Sequence, residues 1–308
     1  HPTTHRLSVK DYSVTQKEGH SDVTQSEVHH VIAFAKLGSK RKEAMQMPLQ
    51  LRQICLVAES LAPVIDDLTA VLGIHPCYVD PGVGAFGLEN TLMPIGRNFL
   101  EVVSPIQPDT AAGRYLKRRG GDGGYMVITQ ADSKATQLVA RQRAQDLGVR
   151  IAHETLRKDW HLIQFHPGDL EAAFLEIETD AFNDFTGSWM PVGGLGWETL
   201  VDQRRTIDLI EVQLQCEDPA SLAAKWGSII GALPTPESDH QLVSLNNAAL
   251  RFIPIQDTRG PGLSGLTVSV TDRAAVIDTA RSRGLEVSGH DIHMAGVRWH
   301  LKETQAST

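Results

Sequence analysis

Three cysteines occur in 308 residues, Cys55, Cys77 and Cys216, and none forms a Cys-x-x-Cys pair. An odd, sparse set excludes a disulfide framework and a thiol-based redox motif, and it fits a reducing cytoplasm. No run of about 18 apolar residues is present to cross a membrane, and no basic start followed by an apolar stretch marks a secretory signal. Basic blocks are also missing: the net charge is −8, so nucleic acid is excluded as a main partner. Lys117, Arg118 and Arg119 are adjacent but read as a solvated turn. There is no Gly-x-Ser-x-Gly elbow, and the Gly-rich run Arg119–Gly124 precedes a strand where a phosphate loop would follow one, so it reads as a connector. The first 47 residues are polar and His-rich (His20, His29, His30) without a stable period. They are expected to be a disordered leader, or sequence upstream of a start at Met45 or Met47.

What is present is a unit that occurs four times. Each copy has a short apolar run, a capping residue, an amphipathic helix and a glycine. The copies are LRQICLVAES to Gly73, GYMVITQADS to Gly148, IDLIEVQLQCED to Gly231 and SGLTVSVTD to Gly284. The apolar runs read as buried strands. Ser60, Ser133, Asp218 and Asp272 are expected to cap the helices. Further strand candidates follow each helix, joined by short polar or Gly turns that suit antiparallel hairpins. The expected fold class is α+β: four βαβββ modules paired into two domains, each a curved mixed sheet around a cleft with helices outside. Residues 48–180 form the first pair and 207–303 the second. Residues 181–206 form a linker expected to pack on both through Trp189 and Trp197.

Two glutamates sit inside apolar strands, Glu101 in FLEVV and Glu176 in FLEIE. Strand alternation puts each on the face opposite its apolar neighbours, where it must meet water, a partner or a metal. Because their strands are equivalent in paired modules, both are expected at one cleft. Cys55 lies two residues from Gln53, on the same strand face. Asn90, Tyr125 and His75 are candidate substrate contacts, each with an equally ordinary structural role.

This repeated βαβββ unit resembles the vicinal oxygen chelate superfamily, which includes glyoxalase I, extradiol dioxygenases and bleomycin-binding proteins. The resemblance covers residues 48–303. It implies a divalent metal (Zn, Ni, Fe, Mn or Mg) held from the first and last strands of two paired modules. The matching positions are Gln53, Glu101, Tyr125 or Met126, and Glu176, with His166 as a substitute ligand where Tyr or Met departs from the pattern. It further implies lyase or isomerase chemistry on a small oxygenated substrate, with Glu176 and Glu101 catalytic. The alternative is a metal-free small-molecule sequestering protein of the bleomycin-resistance type. Either would be a cytoplasmic monomer or homodimer. In the second pair the equivalent positions are Glu211, Arg251, Gly265 or Leu266, and Trp299 or His300, which hold no His, His, Glu set; that half is expected to be structural or substrate-shaping.

Overall fold

The computed structural model describes residues 49–304 except 158, 188, 190, 191 and 193–195. The expected leader lies outside the described residues. The first module runs β1 (Leu49–Val57), α1 (Leu61–Leu72), β2 (Leu88–Ile95) and β3 (Asn98–Pro105). A helix, α2 (Ala111–Arg119), leads to the second: β4 (Gly123–Ala131), α3 (Lys134–Asp146), β5 (Ile151–Arg157), β6 (Trp160–Phe165), the single turn α4 (Pro167–Leu170) and β7 (Phe174–Asp180). The third is β8 (Thr206–Cys216), α5 (Pro219–Ile230), β9 (Thr235–Pro236), β10 (Gln241–Ser244) and β11 (Ala249–Pro254). The fourth is β12 (Gly262–Val270), α6 (Arg273–Ser282), β13 (Glu286–Ser288), β14 (Asp291–Met294) and β15 (Val297–Glu303).

Two mixed sheets result, ordered β2-β3-β1-β4-β7-β6-β5 and β13-β14-β15-β12-β8-β11-β10-β9. In each, the opening strands of two modules pair antiparallel at the centre, and each then pairs parallel with its own module's closing strand. The α+β class with paired βαβββ modules is therefore what the chain adopts. Ser133, Asp218 and Asp272 accept the expected amide bonds at the helix starts, whereas Ser60 makes no side-chain cap bond. Among the described residues no helix is long and apolar enough to cross a membrane.

Alternation sends one side-chain set of each central strand into a common core. Leu51, Ile54 and Leu56 of β1 join Val212 and Leu214 of β8, with Leu68 of α1 and Trp226 of α5, in one continuous apolar cluster. Helices pair across the sheets, α1 with α6 and α3 with α5. Gly124 leaves no room for a Cβ against Leu263, which lets β4 and β12 approach closely. Arg119 is not in a solvated turn: it is buried at the end of α2 and donates to the carbonyls of Arg259 and Pro261, at 2.7 Å each. Trp189 and Trp197 are both buried in one cluster with Phe99, Met126 and Ile128 of the first sheet. The segment after β7 thus straps the open face of that sheet. Its carbonyls at Phe185 and Gly187 accept from Arg52, a fully buried side chain lying over both indoles.

The sheets are also joined by Asn247. Its Oδ1 accepts from Leu51 N at 2.8 Å and its Nδ2 donates to Leu51 O at 3.0 Å, replacing a strand partner where β1 bulges. Asn247→Ala leaves both buried backbone groups unpaired and is expected to cost about 2–4 kcal/mol. A lower urea midpoint at unchanged denaturant slope is the measurement.

Candidate functional site

The open face of the first sheet is set by two bulges. In β1 the register jumps between Leu51 and Gln53, so Arg52 is unpaired and both Arg52 and Gln53 turn to the open face. In β4 the jump between the partners of Cys55 and Leu56 leaves Tyr125 unpaired, so Tyr125 and Met126 both face the open side while Val127 enters the core. Whether Tyr125 or Met126 occupies the fourth position is undecided by spacing alone; the register makes it Met126, the Cα partner of Cys55.

Cys55 pairs on its other side with Glu101, and Gln53 pairs with Ile128, which pairs with Glu176. Gln53, Cys55, Glu101, Met126 and Glu176 therefore share one face, spread over the four strands β3, β1, β4 and β7. Leu100, Val102, Leu175 and Ile177 lie in the core on the other, as alternation requires. Glu101, Glu176 and Glu178 are all buried. Amides hold them: Glu101 accepts from Gln53 Nε2 at 2.8 Å and Asn90 Nδ2 at 2.6 Å, and Glu176 accepts from Gln164 Nε2 at 2.6 Å. Trp160 Nε1 donates to Glu178 at 2.7 Å. Asn90, a candidate contact in the sequence, thus orients Glu101. Gln164, Trp160 and Glu178 were not anticipated; alternation from Glu176 to Glu178 along β7 was the available signal.

Among the described residues no lysine or arginine forms an ion pair with these three carboxylates. Burial accordingly raises Glu101 to about 6, opposed by hydrogen bonds from Asn90 and Cys55 and reinforced by the charge of Glu176. Burial also raises Glu176 and holds Glu178 well above the usual range, where the adjacent Glu176 carboxylate adds to the rise. Burial and mutual repulsion both favour the protonated form of this pair. The Cys55 thiol is pushed well above its ordinary value by burial and then by Glu101.

The second sheet gives a control for this reading. Equivalent register positions to Gln53, Glu101, Met126 and Glu176 are Glu211, Arg251, Gly265 and His300. There every acid has a basic partner: Glu211 with Arg251 at 2.8 Å, Asp257 with Arg298 at 3.4 Å and Asp291 with His300 at 2.8 Å. On that face arginines pair with Glu211 and Asp257, whereas on the first the buried cation, Arg52, donates to backbone carbonyls.

A divalent cation would offset Glu101 and Glu176. Gln53 Oε1 is buried without a hydrogen-bond partner and shares the face with the two carboxylates; amide and carboxylate oxygens are the donor types a hard cation takes. Met126 offers only a soft thioether at the fourth position. Among the described residues no group of three His, Cys, Asp or Glu is placed to hold a metal; the third donor here is an amide oxygen.

Two expected members lie elsewhere. His166 is a helix cap: its Nδ1 accepts from Gly168 N at 3.1 Å, and the ring lies beside Arg150, itself paired with Asp169. That local turn network engages Nδ1 of His166. His75 is half exposed, 4.0 Å from Asp202, and lines an open surface groove with residues 199–204.

The raised Glu101 carboxyl makes stability depend on pH. The folded state binds this proton more tightly than the unfolded chain between about 4.5 and about 6, so stability falls as pH rises through that window and levels off above it. Glu176 and Glu178 act in the same direction. In chelator-treated protein, Glu101→Gln should remove about 2 kcal/mol of the loss between those limits, read from denaturation midpoints of both proteins at pH 4.5 and 6.5.

No protein-family profile and no curated protein matches the chain. Solved structures do. A hypothetical protein from Staphylococcus aureus aligns over 83% of this chain and 99% of its own, at 11% identity and TM-score 0.57. The Mn(II)-bound glyoxalase from Novosphingobium aromaticivorans aligns over 82% and 81%, at 9% identity and TM-score 0.58. A mutant of 4-hydroxymandelate synthase from Streptomyces coelicolor aligns over 77% and 76%, at 15% identity and TM-score 0.57. With four repeats, two sheets built on antiparallel opening strands, and these neighbours, the chain has the fold of the vicinal oxygen chelate proteins.

Proposed function

We propose that the chain is a glyoxalase-like enzyme acting on a small oxygenated substrate, with Gln53, Glu101 and Glu176 holding a divalent metal. The observation that carries the reading is the set of buried carboxylates on one sheet face that lack a cationic partner. Leaving such charge uncompensated in a fold is costly, and the second face shows that the same architecture accommodates side-chain cations where it has them. An all-oxygen donor set favours Mn²⁺ or Mg²⁺ among the metals considered. Bound there, the ion would polarise two neighbouring oxygens of the substrate and stabilise an enediolate-like anion.

The chain's own groups handle the proton. Glu176 is the base, and Glu178 lies beside it with its proton affinity raised by burial and by Glu176. Glu101, at about 6, sits near the range where a carboxyl both accepts and releases a proton at neutral pH. Gln164 and Asn90 fix the two carboxylates, and Tyr125, Met126 and Cys55 give the floor its apolar character. This chemistry is of lyase or isomerase type. The reading takes residues 48–180 as the working domain and 207–303 as a supporting one. It places the protein in a reducing cytoplasm, in keeping with three free cysteines, as a monomer or homodimer.

Met126 in the fourth position favours one other reading, a metal-free protein that sequesters an apolar small molecule. Metal analysis of protein purified without a His tag separates the two. The enzyme reading expects about one divalent ion per chain, lost in both Glu101→Ala and Glu176→Ala. A metal-free wild type that retains a tightly bound apolar ligand would establish sequestration instead.

A further inference from the structure

The 3-10 turn Pro81–Phe86 precedes β2, the outermost strand at one edge of the first sheet; β5 is outermost at the other. Phe86 nevertheless meets His153 of β5 edge to face, with ring centroids 5.7 Å apart and planes at 88°. Contact between the two edges requires the sheet to curl over its open face, which brings these two rings together across it. Phe86 is 58% exposed, so packing into a core does not explain it.

Each side of the contact is tied to a carboxylate through one amide side chain. Asn90 Oδ1 accepts from Asp80 N at 3.0 Å, where the turn carrying Phe86 begins, and Asn90 Nδ2 donates to Glu101 at 2.6 Å. His153 is the Cα partner of Gln164, whose Nε2 donates to Glu176 at 2.6 Å. The imidazole is oriented by Thr155 Oγ1, 2.9 Å from its Nε2. On the same face Tyr115, Tyr125 and Phe174 form an edge-to-face run with centroids 5.0 and 5.1 Å apart.

We infer that Phe86 and His153 form a gate over the cleft of the first sheet and select what reaches Glu101 and Glu176. The aromatic run on that face suits a compact, flat, largely apolar molecule that presents its oxygens to the carboxylates. The inference rests on the proposed function only in taking those carboxylates as the working groups. Asn90 and Gln164 are the positioning residues that link each side of the gate to its carboxylate.

Cys55, 1% exposed on the cleft floor, reports opening without any substrate or metal. Its alkylation by N-ethylmaleimide, followed by mass spectrometry of the peptide, should be about 3–10-fold faster in Phe86→Ala, the ratio expected from losing one edge-to-face pair. His153→Ala should match it, the double variant should add nothing further, and His153→Phe should keep the wild-type rate. Unchanged Cys55 labelling in both single variants overturns the gate. So does an equal rise at Cys216, which is buried in the core shared by both sheets, because opening would then be global. Absence of metal together with a protected Cys55 would sink the proposed function and leave the gate standing.

Discussion

The antiparallel pairing of opening strands, β1 with β4, is the constraint on which the site depends. It places the closing strands β3 and β7 on either side of one central pair. Glu101 and Glu176 come from residues 75 apart in the chain, yet the pairing brings both to one face. The bulges at Arg52 and Tyr125 tune this frame by adding a side chain to the open face on each central strand. Without them Gln53 and Met126 would have opposite facings from those observed, since a one-residue shift reverses every side chain beyond it.

The same frame is used twice with different electrostatics. In the second sheet the four equivalent positions carry Glu211, Arg251, Gly265 and His300, and Glu211 pairs with Arg251. In the first they carry Gln53, Glu101, Met126 and Glu176, and burial holds the carboxylates' affinity for protons high. Internal pairing stabilises a face and leaves little to act on a substrate. Buried carboxylates without an ion-pair partner and with raised proton affinity are candidates for a working site. The contrast between two copies in one chain excludes the fold itself as the cause of the perturbation.

The strap after β7 and the curl of the sheet enclose the first face from two sides. Arg52 anchors the strap: burial lowers its guanidinium to about 10, so it remains charged at neutral pH, and it donates to two strap carbonyls between aromatic rings. Arginine suits this position because its planar, weakly hydrated group stacks on indoles while its edge donates. Enclosure excludes water from the carboxylates and strengthens every electrostatic interaction among them.

Periodicity alone determined the modules, their order, and which residues of FLEVV and FLEIE turn away from the core, because strand alternation is a local property of the backbone. Capping chemistry at Ser133, Asp218 and Asp272 was equally local. The residue at the fourth position was not legible, since a bulge changes register without changing composition, and Tyr125 and Met126 look alike until β4 is paired. The turn network around His166, in which Arg150 and Gly168 meet its Nδ1, was not legible either. Glu178, Gln164 and the Phe86–His153 contact depend on which strands become neighbours and how far the sheet curls. Those are long-range outcomes of packing two helix-bearing sheets around one core, and only the tertiary structure decided them.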